Sequence, residues 1–108
     1  MSLSTSLFIR DFLLEQGETY PYQIYKALKA RLKEEGYAKR KTSYQSIRNY
    51  FYWLKELGLI EVSRTAPGKK AILKDRSYYK IITSKADNLA LWKNPREALY
   101  PTSYQEHH

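Results

Sequence analysis

Between Tyr44 and Leu57 the residues Tyr44, Ile47, Tyr50, Phe51, Leu54 and Leu57 fall at spacings of three and four, and after Gly58 Ile60, Val62 and Arg64 alternate with Glu61 and Ser63. The first spacing is that of one helical face and the second that of a strand, so the chain must switch from helix to strand around Gly58. Glycine there closes the helix because it takes the left-handed conformation at little cost. Thr42 followed three residues later by Gln45 is a capping-box signature, which places the helix start near Thr42 or Ser43. The apolar face, Tyr44 to Leu57, is expected to be its core side.

The opposite face carries Gln45, Arg48, Asn49, Tyr52, Lys55 and Glu56. Arginine matches the two acceptors of guanine and asparagine or glutamine pairs with adenine, so residues that read base edges gather toward the N-terminal half of this helix. A solvated amphipathic surface is the default for such a face, and the charge distribution favours the more specific reading. The formal net charge is +8. Lys26 to Lys80 contains 15 basic and 5 acidic residues, whereas the rest of the chain contains 4 basic and 6 acidic. Basic charge confined to the middle of a chain suits a polyanion-binding surface. A basic membrane-surface helix is the competing explanation, but no helix is expected to combine a lysine face with a large exposed apolar face.

The 108 residues accommodate one domain with a core of its own. There is no cysteine, which removes disulfides, iron–sulfur clusters and thiolate zinc sites. No apolar run approaches the roughly 20 residues that span a bilayer, and no signal-peptide pattern precedes the first helix, so a soluble, cytoplasmic protein is expected. Met1 to Leu3 and Glu106 to His108 read in part as expression remnants. The paired terminal histidines lack a third ligand nearby.

In order along the chain, Leu7, Phe8, Phe12 and Leu14 predict a first helix from about Ser4, ended by Gly17 and expected to supply core. Pro21 suits the first turn of a second helix, running to about Glu35 and closed by Gly36. Tyr25, Leu28 and Leu32 lie on one of its faces, with Ile24 and Ala27 beside them. The short connection from Gly36 to Lys41 fits a slightly lengthened helix-turn-helix. Lys39, Arg40 and Lys41 stand just before the third helix, where backbone N–H groups favour a phosphate; a solvated charged turn is the alternative. A second β-rich run, Tyr78 to Ile82, predicts a hairpin with Ile60 to Arg64. Its long connection carries Pro67-Gly68 at a type II turn together with Lys69, Lys70, Lys74 and Arg76. Whether Ala71-Ile72-Leu73 forms a strand is left open.

This order, with the segments TYPYQIYKALKARL, LKELGLIEV and RSYYKIITSKA, resembles a winged helix-turn-helix domain of the compact archaeal and bacterial PadR- and MarR-like transcription regulators. The resemblance covers roughly Leu7 to Ala86. It implies an α+β, mostly helical fold with a three-helix core, a β-hairpin wing and a C-terminal helical extension, divided as residues 4–83 and 84–100. It also implies a role in transcription regulation through double-stranded DNA. The DNA-facing positions of the family fall on Ser43, Gln45, Ser46, Arg48, Asn49 and Tyr52, and the phosphate contacts of its wing on the loop from Arg64 to Arg76. Tyr52 and Trp53 are bulkier than the polar residues common at those positions, so Trp53 is a candidate to pack against another element.

Beyond the hairpin, Thr83 or Ser84 can cap a helix through about Lys93 carrying Leu89 and Trp92, and Asn94-Pro95 starts another that leads to Leu99 and Tyr100 before Pro101. In such regulators this segment often supports a homodimer, which makes Leu89, Trp92, Leu99 and Tyr100 interface candidates. Closure of the chain's own core by Leu89, Trp92 and Leu99 is the equal alternative. No glycine-rich phosphate loop, internal histidine or cysteine is present, so neither an enzyme nor a bound cofactor, metal or small-molecule effector is expected. The alternative class is a winged helix serving as a protein-interaction module or an RNA-binding component of a larger assembly. Eleven tyrosines, no cysteine and a single methionine fit a thermophilic source.

Overall fold

The computed structural model describes residues 4–36, 42–67 and 76–101. Three helices come first: α1 (Thr5–Gln16), α2 (Pro21–Glu34) and α3 (Tyr44–Glu56). The antiparallel strands β1 (Ile60–Ala66) and β2 (Arg76–Ile81) follow, then a 3-10 turn (Thr83–Lys85) and the short helices α4 (Leu89–Lys93) and α5 (Pro95–Leu99). The fold is α+β and mostly helical. No helix among the described residues is long and apolar enough to cross a membrane.

Local chemistry sets the helix ends. Ser4 caps α1, its hydroxyl accepting from the Leu7 N–H, and Pro21 begins α2, where its missing N–H is no loss. The cap of α3 is Ser43, whose Oγ accepts from the Ser46 N–H at 3.1 Å. The Thr42–Gln45 capping box is therefore corrected by one residue: the Gln45 side chain turns along the helix and donates to Asn49 Oδ1 at 3.0 Å. At the other end the Gly58 N–H bonds to Lys55 O at 3.0 Å and the Leu59 N–H to Leu54 O at 2.9 Å, a Schellman closure with Gly58 at φ 75°. It turns Leu59 and Ile60 into the core, where both are buried.

The core joins Ile9 and Leu13 of α1, Ile24, Leu28 and Leu32 of α2, and Ile47, Phe51 and Leu54 of α3 to Leu59, Ile60 and Trp92. Fully burying an aliphatic or aromatic side chain of this size stabilises by about 1.5–3 kcal/mol. Two sequence expectations need correction here. On α1 the buried stripe is Ser6, Ile9 and Leu13; Leu7, Phe8 and Phe12 are half-buried at its margin and Leu14 is exposed. On α3 Tyr44 is exposed and packs on Tyr22 and Tyr25 of α2 instead of entering the core.

A β-bulge at Ser63 corrects the expected alternation of β1. The register runs Ile60 to Ile81, Glu61 to Lys80 and Val62 to Tyr79, then shifts so that Arg64 faces Tyr78. One extra residue reverses the facing of all that follow, so Arg64 leaves the face of Ile60 and Val62. Thr19, in the turn between α1 and α2, forms an isolated bridge with Tyr79 through bonds of 3.0 and 2.7 Å. It pairs with Tyr79 on the edge of β2 away from β1.

The continuous helix expected from Thr83 to Lys93 is interrupted. Arg10 Nε donates to Ala86 O at 2.7 Å, so a side chain takes that carbonyl, and Lys85 O accepts both Trp92 Nε1 at 3.0 Å and the Asn88 N–H at 3.1 Å, three residues on instead of four. The result is a 3-10 turn, a bend and a five-residue α4. It brings Trp92, fully buried, into the core of the chain, which favours the core-closure alternative for that residue. Leu89 and Tyr100 are exposed and Leu99 half-buried.

Candidate nucleic-acid interface

The exposed face of α3 presents Gln45, Arg48 and Asn49 to solvent. The bond from Gln45 to Asn49 fixes two amides side by side one turn apart, leaving the Gln45 carbonyl and the Asn49 amino group free to meet a partner with both donors and acceptors. Arg48 stands beside them with its guanidinium 5.9 Å from the Tyr44 ring centre. Three other expected positions serve different roles. The Ser43 hydroxyl is engaged as the helix cap, and Ser46 is half-buried behind it. Tyr52 is exposed, but the Glu56 carboxylate and the Tyr100 hydroxyl beside it push its phenol above the usual range. α5 packs against α3, so the C-terminal half of the exposed face is shared with the end of the chain.

The expected phosphate contacts divide in the same way. Arg64 is committed within the chain: its Nε and Nη2 each lie 2.9 Å from Glu18 Oε1, while Ser63 Oγ donates to Glu18 Oε2 at 2.7 Å. Bonding from Arg64 first, and from Ser63 second, holds the Glu18 carboxyl below the usual carboxylate range. The Arg64 guanidinium also lies 3.8 Å over the Tyr78 ring. Arg76 lies 4.1 Å over the Tyr20 ring, and its hydrogen bond with the Tyr78 hydroxyl holds that phenol below its usual range. Lys39, Arg40, Lys41, Lys69, Lys70 and Lys74 lie outside the described residues, as do Gly68 and Ala71 to Leu73.

Two features were missed in the sequence. Glu18 is one, with no local pattern to announce it. The other is an aromatic belt. Tyr22, Tyr25 and Tyr44 form a cluster with ring centres 5.6–5.9 Å apart, and Tyr20 meets Tyr78 edge to face at 5.1 Å. Lys26 lies over Tyr22 and Lys29 over Tyr25. Each such exposed cation–π contact contributes about 0.5–1 kcal/mol. A signal was available: Tyr22 with Lys26, Tyr25 with Lys29 and Tyr44 with Arg48 each place an aromatic residue four positions before a cation, one turn apart on a helix.

Comparison with known proteins finds no family model that matches this chain and no matching curated protein. The chemistry of the interface therefore rests on its own residues.

Proposed function

We propose that this protein binds double-stranded DNA as a winged helix-turn-helix transcription regulator, with α3 in the major groove and the hairpin along the phosphate backbone. The observation that carries this reading is the exposed set Gln45, Arg48 and Asn49 on the N-terminal half of a helix whose other face is buried. The order helix, Thr19 bridge, helix, helix, hairpin supports this reading. In sequence, the basic residues of 37–41 precede α3 and those of 68–75 lie between the two strands of the hairpin, and they supply charge for phosphates.

A dimer would read two half-sites about one helical turn, roughly 34–36 Å, apart. With Trp92 inside the core, the surface available for pairing is Leu89, Leu99 and Tyr100. Selection of bound fragments from a random duplex pool tests the reading. A recovered consensus supports a specific regulator, and absence of duplex binding overturns the proposal in favour of a protein-interaction module. Sedimentation of the free protein and of its DNA complex tests the dimer, which a monomer in both would exclude.

A further inference from the structure

Between the start of α2, the start of α3 and the start of β2 lies a groove of about 520 Å³, within the rough 300–1,000 Å³ range of small-ligand sites. Tyr20, Tyr22, Tyr44 and Tyr79 line it together with Arg48 and Arg76. Tyr22 and Tyr44 are 47% and 40% exposed, and they stand edge to face at 85°. Among the described residues neither Arg48 nor Arg76 has a carboxylate partner, in contrast to Arg64 with Glu18. The groove thus combines accessible rings with two guanidinium groups that no carboxylate among the described residues neutralises.

From this lining we infer that the groove binds an unpaired nucleotide of a single nucleic-acid strand, its base against Tyr22 and Tyr44 and its phosphate between Arg48 and Arg76. In a duplex the base faces are covered by their neighbours, so a ring surface in a groove finds no stacking partner there. An unpaired base offers that face, and every base has one, so such binding tolerates any sequence. This activity is separate from duplex reading by Gln45 and Asn49, although Arg48 borders both. It equips the protein for strand ends, bubbles or loops.

The test is titration of the full chain with an oligothymidylate and an oligouridylate of roughly ten residues, a length within the usual site size. Anisotropy and quenching of tyrosine fluorescence follow binding. Binding of both strands means that the groove accepts either sugar, and binding of one identifies the source. Tyr22→Ala and Tyr44→Ala are each expected to weaken binding about ten-fold or more, while Tyr22→Phe and Tyr44→Phe retain it, because stacking needs the ring and not the hydroxyl. Asn49→Ala should weaken duplex binding and leave the single-strand titration unchanged, which separates failure of this inference from failure of the duplex reading. Photocrosslinking of the unmodified protein to an iodouridine-substituted strand provides a readout independent of any variant's folding, with adducts expected on Tyr22 or Tyr44. Absence of binding to both strands, adducts only elsewhere, or equal losses for the Phe and Ala variants would overturn it.

Discussion

Arg64 Nε donates to Glu18 Oε1 at 2.9 Å, and this bond ties the bulged strand β1 to the turn between α1 and α2. Both groups are substantially exposed, so the pair fixes geometry more than it adds stability. The Glu18 carboxyl is held low, so whatever the pair contributes is present above the unfolded-state pKa of the group. That contribution is lost as pH falls through the lower folded-state value. NMR titration should find Glu18 below the ordinary glutamate range in the native protein and back within it in Arg64→Met. An unchanged titration in the variant would mean that Ser63 alone sets the shift.

Trp92 is fully buried and its indole N–H is satisfied by Lys85 O. Trp92→Ala leaves a cavity between α1 and the C-terminal helices, with an expected cost of about 3–5 kcal/mol, read as a lower denaturation midpoint. Leu89→Ser, at an exposed position, should stay within about 0.5 kcal/mol of the native protein.

Arg48→Ala and Asn49→Ala should each cost about 1–3 kcal/mol on a preferred duplex and much less on an arbitrary one, since base-edge contacts carry discrimination. Gln45→Ala also frees the Asn49 amide from its present orientation, so its effect should couple with that of Asn49→Ala in a double-mutant cycle. Equal losses on all duplexes would reduce these side chains to backbone contacts.

Duplex affinity should fall with salt at a log–log slope of about −0.9 per phosphate neutralised. Replacing Lys69 and Lys70 by alanine is expected to flatten that slope while preserving sequence preference. A slope identical to that of the native protein would remove the hairpin connection from the interface.

Much of this architecture was legible because local chemistry and tertiary packing agree. Gly58 and the change of hydrophobic period located the end of α3, and Pro21 the start of α2. The misreadings share one cause, that periodicity identifies stripes but not which stripe is covered. On α1 the buried stripe passes through Ser6, a polar residue that apolar counting skips, so Phe8, Phe12 and Leu14 drew attention from Ile9 and Leu13. Bonds from Arg10 and Trp92, distant in sequence from the carbonyls they engage or set by the bend itself, outweighed the helical pattern after Thr83. The polar face of α3 was readable in its N-terminal half, but the approach of Tyr100 to Tyr52 has no local signature. The tyrosine groove draws on three separated segments, and only the repeated four-residue spacing of tyrosine and cation hinted at it.

The Thr19–Tyr79 bridge has a kinetic meaning as well. It joins the turn after α1 to a strand on the far side of α2 and α3, and the entropy lost in closing so long a loop must be met before the contact returns anything. Helices and hairpin rest on contacts closer in sequence and can form ahead of it, so this closure is expected to come late in folding. Until Thr19 arrives, the Tyr79 N–H and C=O on the outer edge of β2 lack the partner that the folded chain gives them, the kind of exposed edge group to which a foreign strand can pair.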